Sequence, residues 1–528
     1  MPRVLLTLVT VLVALPCLAS LPVESAVEQA IRNVSGAHIA AIDLIETVYE
    51  RREFAPAWNE PEQVQALLDA VRGSHDEGLN PTDYRLAVIE KVRETLLTGH
   101  QFPADEQAEW ELLLTDSLIR LLHDSVYGKV DPETHQATRD FGRPLNGRNP
   151  SAVVAELIGA GNLDEAISSV TPRDTDYDRL KTQLKQHRLM AAAGGWPEVP
   201  SGPTIHPDAN DSRLEILATR LLISGDLVEG HTRTKAATYD VVLQDAVRHF
   251  QKRHGLKVDG VVGPATLRAL NVPIEQRIDQ IRVNLERARW RRNYQIDNLV
   301  VVNIAGFRMY VYRDEKIVTA MKVIVGAEED RTPLFHATIT HVVFNPAWTV
   351  PYSIASEEIL PSIKKDANHL EKNGYRLFDR DGNVVDPSAV DWSAIHVRNF
   401  PFTIVQQPGP ANQLGQVKFM FPNQDSVCMH DTPARSLFTQ ARRALSHGCI
   451  RVDDPIKLAE VLLGAEGWTR TQIDAEIESK KTKTIMLENP VALAVLYWTA
   501  EVNEQGEIQF FDDIYDRDAA LLRSLDSP

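Results

Sequence analysis

The hydrophobic pattern of this chain changes period once, and that change limits the folds open to it. In the first part apolar side chains recur every three or four positions: Val27, Ala30, Ile31 and Val34, then Val64, Leu67, Leu68 and Val71, then Leu112, Leu113, Leu118 and Leu121 within Glu106 to Leu122. Such spacing lays an apolar stripe along a helix. From Leu299 to Ile304, Arg308 to Tyr312 and Ile317 to Val325 the period becomes two, the mark of strands, with Gly326 at a bend. At roughly 150 residues per domain the chain holds three or four domains. The expected class is multidomain α+β, helical first and β-rich last.

Punctuation divides the chain further. A helical scaffold is expected over 26–224, one helix ending in Glu77-Gly78-Leu79-Asn80-Pro81. Residues 229–273 form a compact unit. Val242, Ala246, Val247 and Phe250 share a helix face there, His254-Gly255-Leu256 ends that helix, and Asp259-Gly260-Val261-Val262-Gly263-Pro264 turns into the next. A linker helix over 274–297 carries Ile274, Ile278, Ile281 and Leu285, then Arg287, Arg289, Arg291 and Arg292. Those arginines fit either a basic patch or cations answering a helix dipole. The β-rich domain over 298–528 is interrupted at 352–402, where Ile354 to Lys365 is helical and Asp379-Arg380-Asp381-Gly382-Asn383 is turn-like. An excursion of that length is usually functional or separately folded.

Arg3 is the one charge before Glu24, and the apolar run Val4 to Leu15 leads to small residues Cys17 and Ala19. Residues 1–19 therefore read as a secretion signal. The run is too short to span a bilayer, which takes about 20 residues; an uncleaved signal would still give membrane association. Without that segment Cys428 and Cys449 remain from the chain's three cysteines, so stability must come from packed cores rather than disulfides. A net charge of −17 argues against nucleic-acid partners. An acidic ligand would need local cations, which Arg442, Arg443 and Arg451 could supply, although the first two also read as surface arginines on a solvated helix.

The chemistry concentrates in Ser446-His447-Gly448-Cys449-Ile450-Arg451-Val452-Asp453-Asp454-Pro455. A thiol at its ordinary pKa is mostly protonated at neutral pH, so a nucleophilic Cys449 needs a histidine beside it. His430, in Cys428-Met429-His430-Asp431-Thr432-Pro433, is the best base. Asp431 could orient its ring through the backbone carbonyl or through the side chain. Gly448 lets backbone approach a ligand, Gly448 and Cys449 could aim N–H groups at an oxyanion, His447 could shape that hole or be structural, and Ser446 braces the loop. Asp453-Asp454-Pro455 starts a helix ending near Leu463.

Ser446-His447-Gly448-Cys449 with an isolated upstream histidine resembles the signature of the L,D-transpeptidases, the YkuD-type cysteine enzymes that cross-link peptidoglycan. Asn345-Pro346-Ala347-Trp348-Thr349-Val350-Pro351, Pro408-Gly409-Pro410-Ala411-Asn412-Gln413-Leu414-Gly415 and Lys418-Phe419-Met420-Phe421-Pro422-Asn423 resemble the multidomain YcbB-like subgroup. Phe54-Ala55-Pro56-Ala57-Trp58 and Gly78-Leu79-Asn80-Pro81-Thr82-Asp83-Tyr84 extend that likeness, and 229–273 resembles a three-helix peptidoglycan-binding domain. The resemblance implies catalysis by Cys449 and His430, orientation of the histidine by the Asp431 carbonyl, substrate binding by Arg451, Trp348 and Asn412, and a 352–402 insertion capping the cleft. It implies peptidoglycan stem peptides as substrate, other cell-wall synthesis enzymes as further partners, a periplasmic location, and neither cofactor nor metal.

The implied reaction has two steps. Cys449 attacks the L-centre carbonyl of a diamino acid in a tetrapeptide stem, expels the terminal D-alanine, and passes the acyl group to a neighbouring stem's amine. An L,D-carboxypeptidase or endopeptidase, with water as acceptor, uses the same donor residues. A non-catalytic wall-binding scaffold is the second rival, and Cys449 with His430 speaks against it. Zinc held by Cys428, His430, His447 and Cys449 is the third; its one-residue spacings depart from those of structural zinc sites. Alternation along a strand places Cys428 on the same side as His430. It is then either a small buried hydrophobe or a disulfide partner for Cys449.

Overall fold

The computed structural model describes residues 22–33, 39–100, 102–131, 145, 147–160, 162–170, 175–228, 238–291, 298–314 and 316–527. The leader expected over 1–19, the start of the unit expected from 229, and Arg292 lie outside these. The chain forms two compact units: Met1–Arg188 with Ile281–Asn293 and Ala520–Pro528, and Leu189–Gln280 with Tyr294–Ala519.

The first unit is helical, over Val23–Asn33, Ile42–Arg51, Pro61–Gly73, Leu86–Leu97, Ala104–Tyr127, Pro150–Ile158 and Leu163–Val170 among others. Ala104–Tyr127 is its axis: Leu112, Leu118 and Leu121 bury against Val27, Ile31, Val64, Leu67, Leu68 and Val71 as expected, but Leu113 is only half-buried and Leu114 takes its place on the face. Buried Glu111 on that helix accepts from the Ala57 and Trp58 amides at 2.7 and 3.1 Å and from the Tyr49 hydroxyl at 2.7 Å. This clasp fixes the Phe54–Trp58 segment. The arginine-rich helix end forms no basic patch among the described residues. Arg287 and Arg289 are buried, and Arg289 donates to Glu286 at 2.8 Å.

In the second unit, a small helical core gathers Leu214, Leu217 and Leu221 of Leu214–Ile223 with Leu243, Ala246, Val247 and Phe250 of Val241–Arg253 and Leu270 of Pro264–Leu270. Three helices are present, but the first comes from upstream of the expected boundary at 229. Its Leu-rich face packs on this core, which moves the boundary into the segment read as scaffold. Val242 is exposed at 39 %, and Leu243 takes its place on the buried face. The i, i+3, i+4, i+7 ladder therefore begins one residue later.

The β-rich part comprises β1 (Asn298–Asn303), β2 (Arg308–Arg313), β3 (Lys316–Gly326), β4 (Phe335–Phe344), β5 (Trp348–Thr349), β6 (Tyr375–Phe378), β7 (Val384–Val385), β8 (Thr403–Gln406), β9 (Val417–Met420), β10 (Met429–His430), β11 (Ala444–Ser446), β12 (Ile450–Val452) and β13 (Lys483–Leu496). A nine-stranded sheet runs β11-β3-β12-β10-β9-β4-β13-β1-β2, and β2 also pairs with β3, so the ladder closes. Long β3 permits closure by changing partner along its length: Lys316–Lys322 pair with β2, Val323 and Ile324 with β12. Alternate residues Val300, Val302, Val323, Val325, Phe419, Met429 and Ile450 fill the interior.

The excursion folds on a core of its own. β5, β8, β6 and β7 make a separate four-stranded sheet, and Val350, Ile359, Leu360, Ile363, Leu377 and Ile404 pack beside it. The expected helix is present, but its middle, Ala355–Ile359, is a π-helical turn.

Candidate active site

Register explains how two segments 19 residues apart in sequence come to share a site. β10 and β12 pair in parallel, Met429 opposite Ile450 and His430 opposite Arg451, and the Ile450 amide donates to the Cys428 carbonyl at 2.9 Å. Met429 and Ile450 point into the core. Alternation then sends Cys428, His430, Cys449 and Arg451 to the opposite face. The ring nitrogen of His430 and the sulfurs of Cys428 and Cys449 all lie within 4.8 Å of one another.

Three contacts set the chemistry. His430 Nδ1 lies 2.5 Å from the Asp431 carbonyl oxygen. A carbonyl only accepts, so Nδ1 carries the hydrogen and Nε2 keeps a lone pair for a thiol proton. The Asp431 carboxylate is engaged elsewhere, accepting from the Gln416 amide at 2.8 Å and from Arg435 at 3.2 Å. Of the two orienting groups open in the sequence, the structure uses the carbonyl. The Cys428 and Cys449 sulfurs are 3.4 Å apart. The Cys449 thiol is pulled below its ordinary value, first by its hydrogen bond with Cys428 and then by the hydrogen bond and charge of His430, against burial that raises it. Cys428 is pushed well above its ordinary value by the same sulfur contact and by burial. Cys449 is thus the more acidic of the two thiols and Cys428 the one that keeps its proton longer.

The loop before Cys449 is held from three sides. Ser446 Oγ donates to the Cys449 carbonyl at 2.5 Å. Gly448 has φ of +98°, favourable to glycine, and its carbonyl accepts from Thr332 Oγ1 at 2.8 Å. Thr332 Oγ1 in turn accepts from the Gly326 amide at 2.8 Å, and the Tyr515 hydroxyl donates to the Gly326 carbonyl at 2.7 Å. Asp454 caps the helix Pro455–Gly464 through the Lys457 amide at 3.0 Å.

Other expected site residues are distributed differently. His447 does not join the sulfurs. Its Nε2 lies 2.8 Å from Glu358 Oε1, on the π-helical turn of the insertion, so the four-ligand zinc set is not assembled. Asn412 is 1 % exposed; its amide donates to the Pro346 and Gln407 carbonyls at 3.0 Å and approaches that of Gln406 at 3.3 Å, while its oxygen accepts from the Leu414 amide at 2.8 Å. That is a loop clasp, buried away from solvent. Trp348 packs against the insertion's own core. Arg443 is buried and donates to the Val323, Phe307 and Gln440 carbonyls, so it is no surface cation. Arg451 stands beside His430; its Nε is buried without a partner, and burial lowers its pKa while the Cys449 charge raises it. Thr332, Tyr515 and Glu358 were not legible as site residues, because each acts on the loop from a distant segment.

Comparison with known proteins places this geometry. The L,D-transpeptidase catalytic domain model of the YkuD family matches residues 297–484, which contain Cys428, His430 and Cys449. Residues 297–484 are a YkuD-type L,D-transpeptidase catalytic domain. A "Scaffold domain" model matches 43–184 and a "Putative peptidoglycan binding domain" model matches 211–270, the latter including the upstream helix. A curated Haemophilus influenzae protein named "Putative L,D-transpeptidase" is 38 % identical over 244 residues, 46 % of this chain and 48 % of that protein. The match thus spans about half the length of that relative. Solved L,D-transpeptidase structures from Xylanimonas cellulosilytica and Stackebrandtia nassauensis are 15 % and 13 % identical. Each matches 56 % of this chain, with 99 % and 97 % of the solved chain covered and TM-scores of 0.18 and 0.22.

Proposed function

We propose that this protein is a peptidoglycan L,D-transpeptidase acting through a thioester on Cys449. The observation that carries this reading is the disposition of the Cys449 thiol and His430, whose Nδ1 is held by the Asp431 carbonyl, within a YkuD domain. His430 removes the thiol proton, and Cys449 attacks the L-centre carbonyl of the diamino acid in a donor tetrapeptide. Amides of the Gly448–Cys449 turn face the developing oxyanion; donors of this kind contribute about 3 kcal/mol each. His430 then returns the proton to the leaving D-alanine nitrogen, and the amine of a second stem resolves the thioester. Arg451 is the cation for the acidic donor.

The insertion, tied to the loop through Glu358 and His447, is proposed to exclude water from the thioester and so favour the amine. Domain limits of about 26–198 for the scaffold, 199–273 for the wall-binding unit and 298–528 for the catalytic part complete the reading. A secretion signal over 1–19 delivers the protein to the periplasm. Among the described residues no helix is long and apolar enough to cross a membrane.

Defined tetrapeptide muropeptides, incubated with the protein and analysed by mass spectrometry, test the reaction. Cross-linked dimers between diamino acid residues are expected. Tripeptide alone would assign an L,D-carboxypeptidase instead.

A further inference from the structure

We propose that Cys428 is a resolving cysteine, making the site a reversible peroxide-sensitive switch. The identity of Cys449 as the nucleophile, and hence the loss of turnover, rests on the proposed function; the disulfide chemistry does not. Cys428 and Cys449 immediately precede Met429 and Ile450, which pair on the parallel strands β10 and β12, and the Ile450 amide donates to the Cys428 carbonyl between them. Neighbouring strands lie about 4.7–4.9 Å apart, inside the Cα range of about 4.4–6.8 Å that disulfides span. The sulfurs already face each other at 3.4 Å, so a bond needs only side-chain adjustment.

The two thiols also differ in the way such a reaction requires. Cys449 is partly exposed and the more acidic thiol, whereas Cys428 is buried and pushed above its ordinary pKa. Peroxide therefore meets Cys449 first. The thiolate sulfur attacks one peroxide oxygen, the O–O bond breaks, and hydroxide leaves, giving Cys449 sulfenic acid. Cys428, its proton passing to the departing oxygen, attacks that sulfur; an S–S bond forms and water is released. In sum two thiols and one hydrogen peroxide give one disulfide and two waters. A small dithiol reverses it by exchange through a mixed disulfide. Without Cys428 the sulfenic acid has no neighbour to capture it and can proceed to the irreversible sulfinic acid. The arrangement thus protects the nucleophile while silencing it.

The test treats full-length parent, Cys428→Ser and Cys428→Ala with hydrogen peroxide, then with dithiothreitol. Peptide mass spectrometry follows the sulfur state, and acylation by a carbapenem follows function. In the parent we expect a Cys428–Cys449 cross-linked peptide, at least tenfold loss of acylation, and full recovery with dithiothreitol. Both variants should instead accumulate sulfinic Cys449 and recover little. Absence of the cross-linked peptide from the oxidised parent, or equal recovery in parent and variants, overturns the proposal. A parent that forms the reversible cross-link, yet whose reduced form is not acylated at Cys449, upholds the thiol pair and sinks the transpeptidase reading instead.

Discussion

At the scale of single residues, the site depends on which of two identical functional groups holds the proton. The hydrogen bond with Cys428 is the largest influence lowering the Cys449 pKa. Replacing Cys428 by Ala, under reducing conditions, removes that support, so the acidic limb of the acylation rate against pH should move upward, toward the ordinary thiol value. Stopped-flow acylation from pH 5 to 9 reads this, and an unmoved limb would show that His430 alone sets the thiolate. His430→Ala should lower acylation by at least about a hundredfold, since general base and nucleophile act as one unit. The double variant with Cys449→Ala should be no worse than Cys449→Ala alone. Asn412→Ala illustrates what sequence could not tell. Its motif invited a substrate role, but burial and four backbone partners make it a clasp, and stranding carbonyls costs about 1–3 kcal/mol each. We expect a lowered urea midpoint with acylation per folded molecule preserved. Cys449 and His430 were legible because nucleophile and base chemistry is written in residue type. Whether Asp431 used its carbonyl or its carboxylate was not, since that turns on Gln416 and Arg435.

At the scale of elements, the period of the apolar pattern located helices and strands, including β1 to β3 within a residue. It could not locate the upstream helix Leu214–Ile223 in the right core, because a Leu-rich face does not name its partner. Nor could it reveal the contact between the insertion's π-helical turn and His447. If that contact holds the insertion over the thioester, Glu358→Ala should raise hydrolysis relative to transfer by several-fold. An unchanged product ratio and rate would reduce the insertion to a surface elaboration. In the wall-binding unit, His254 stacks on Phe250 with centroids 3.7 Å apart and donates from Nδ1 to the Phe250 carbonyl at 2.8 Å. Burial first, and then neighbouring arginines, hold its pKa well below the ordinary value. The folded state therefore resists a proton that the unfolded chain accepts below about pH 6.5, so stability falls as pH drops through that value. Urea titrations at pH 7.5 and 5 should show this loss in the parent and a smaller one in His254→Phe.

At the scale of the whole molecule, a net charge of −17 opposes approach of an acidic stem peptide. The change of period at residue 298 made the division into helical and β-rich parts readable, whereas closure of the sheet required the dual pairing of β3. Because the field is long-ranged and Arg451 is short-ranged, salt should help encounter before it weakens binding. The second-order acylation rate with a tetrapeptide donor should rise about two- to fivefold as ionic strength goes from about 10 to 150 mM, over which the Debye length shrinks from about 30 to 8 Å. A monotonic fall would mean that the local cations dominate. The central claim is the thioester itself. Intact-mass spectrometry of the protein quenched in acid during turnover of a tetrapeptide stem, followed by peptide mapping, should find the stem minus its terminal D-alanine on Cys449 and no adduct on Cys449→Ala. An adduct that maps to another residue, or turnover that persists in Cys449→Ala, would contradict the account.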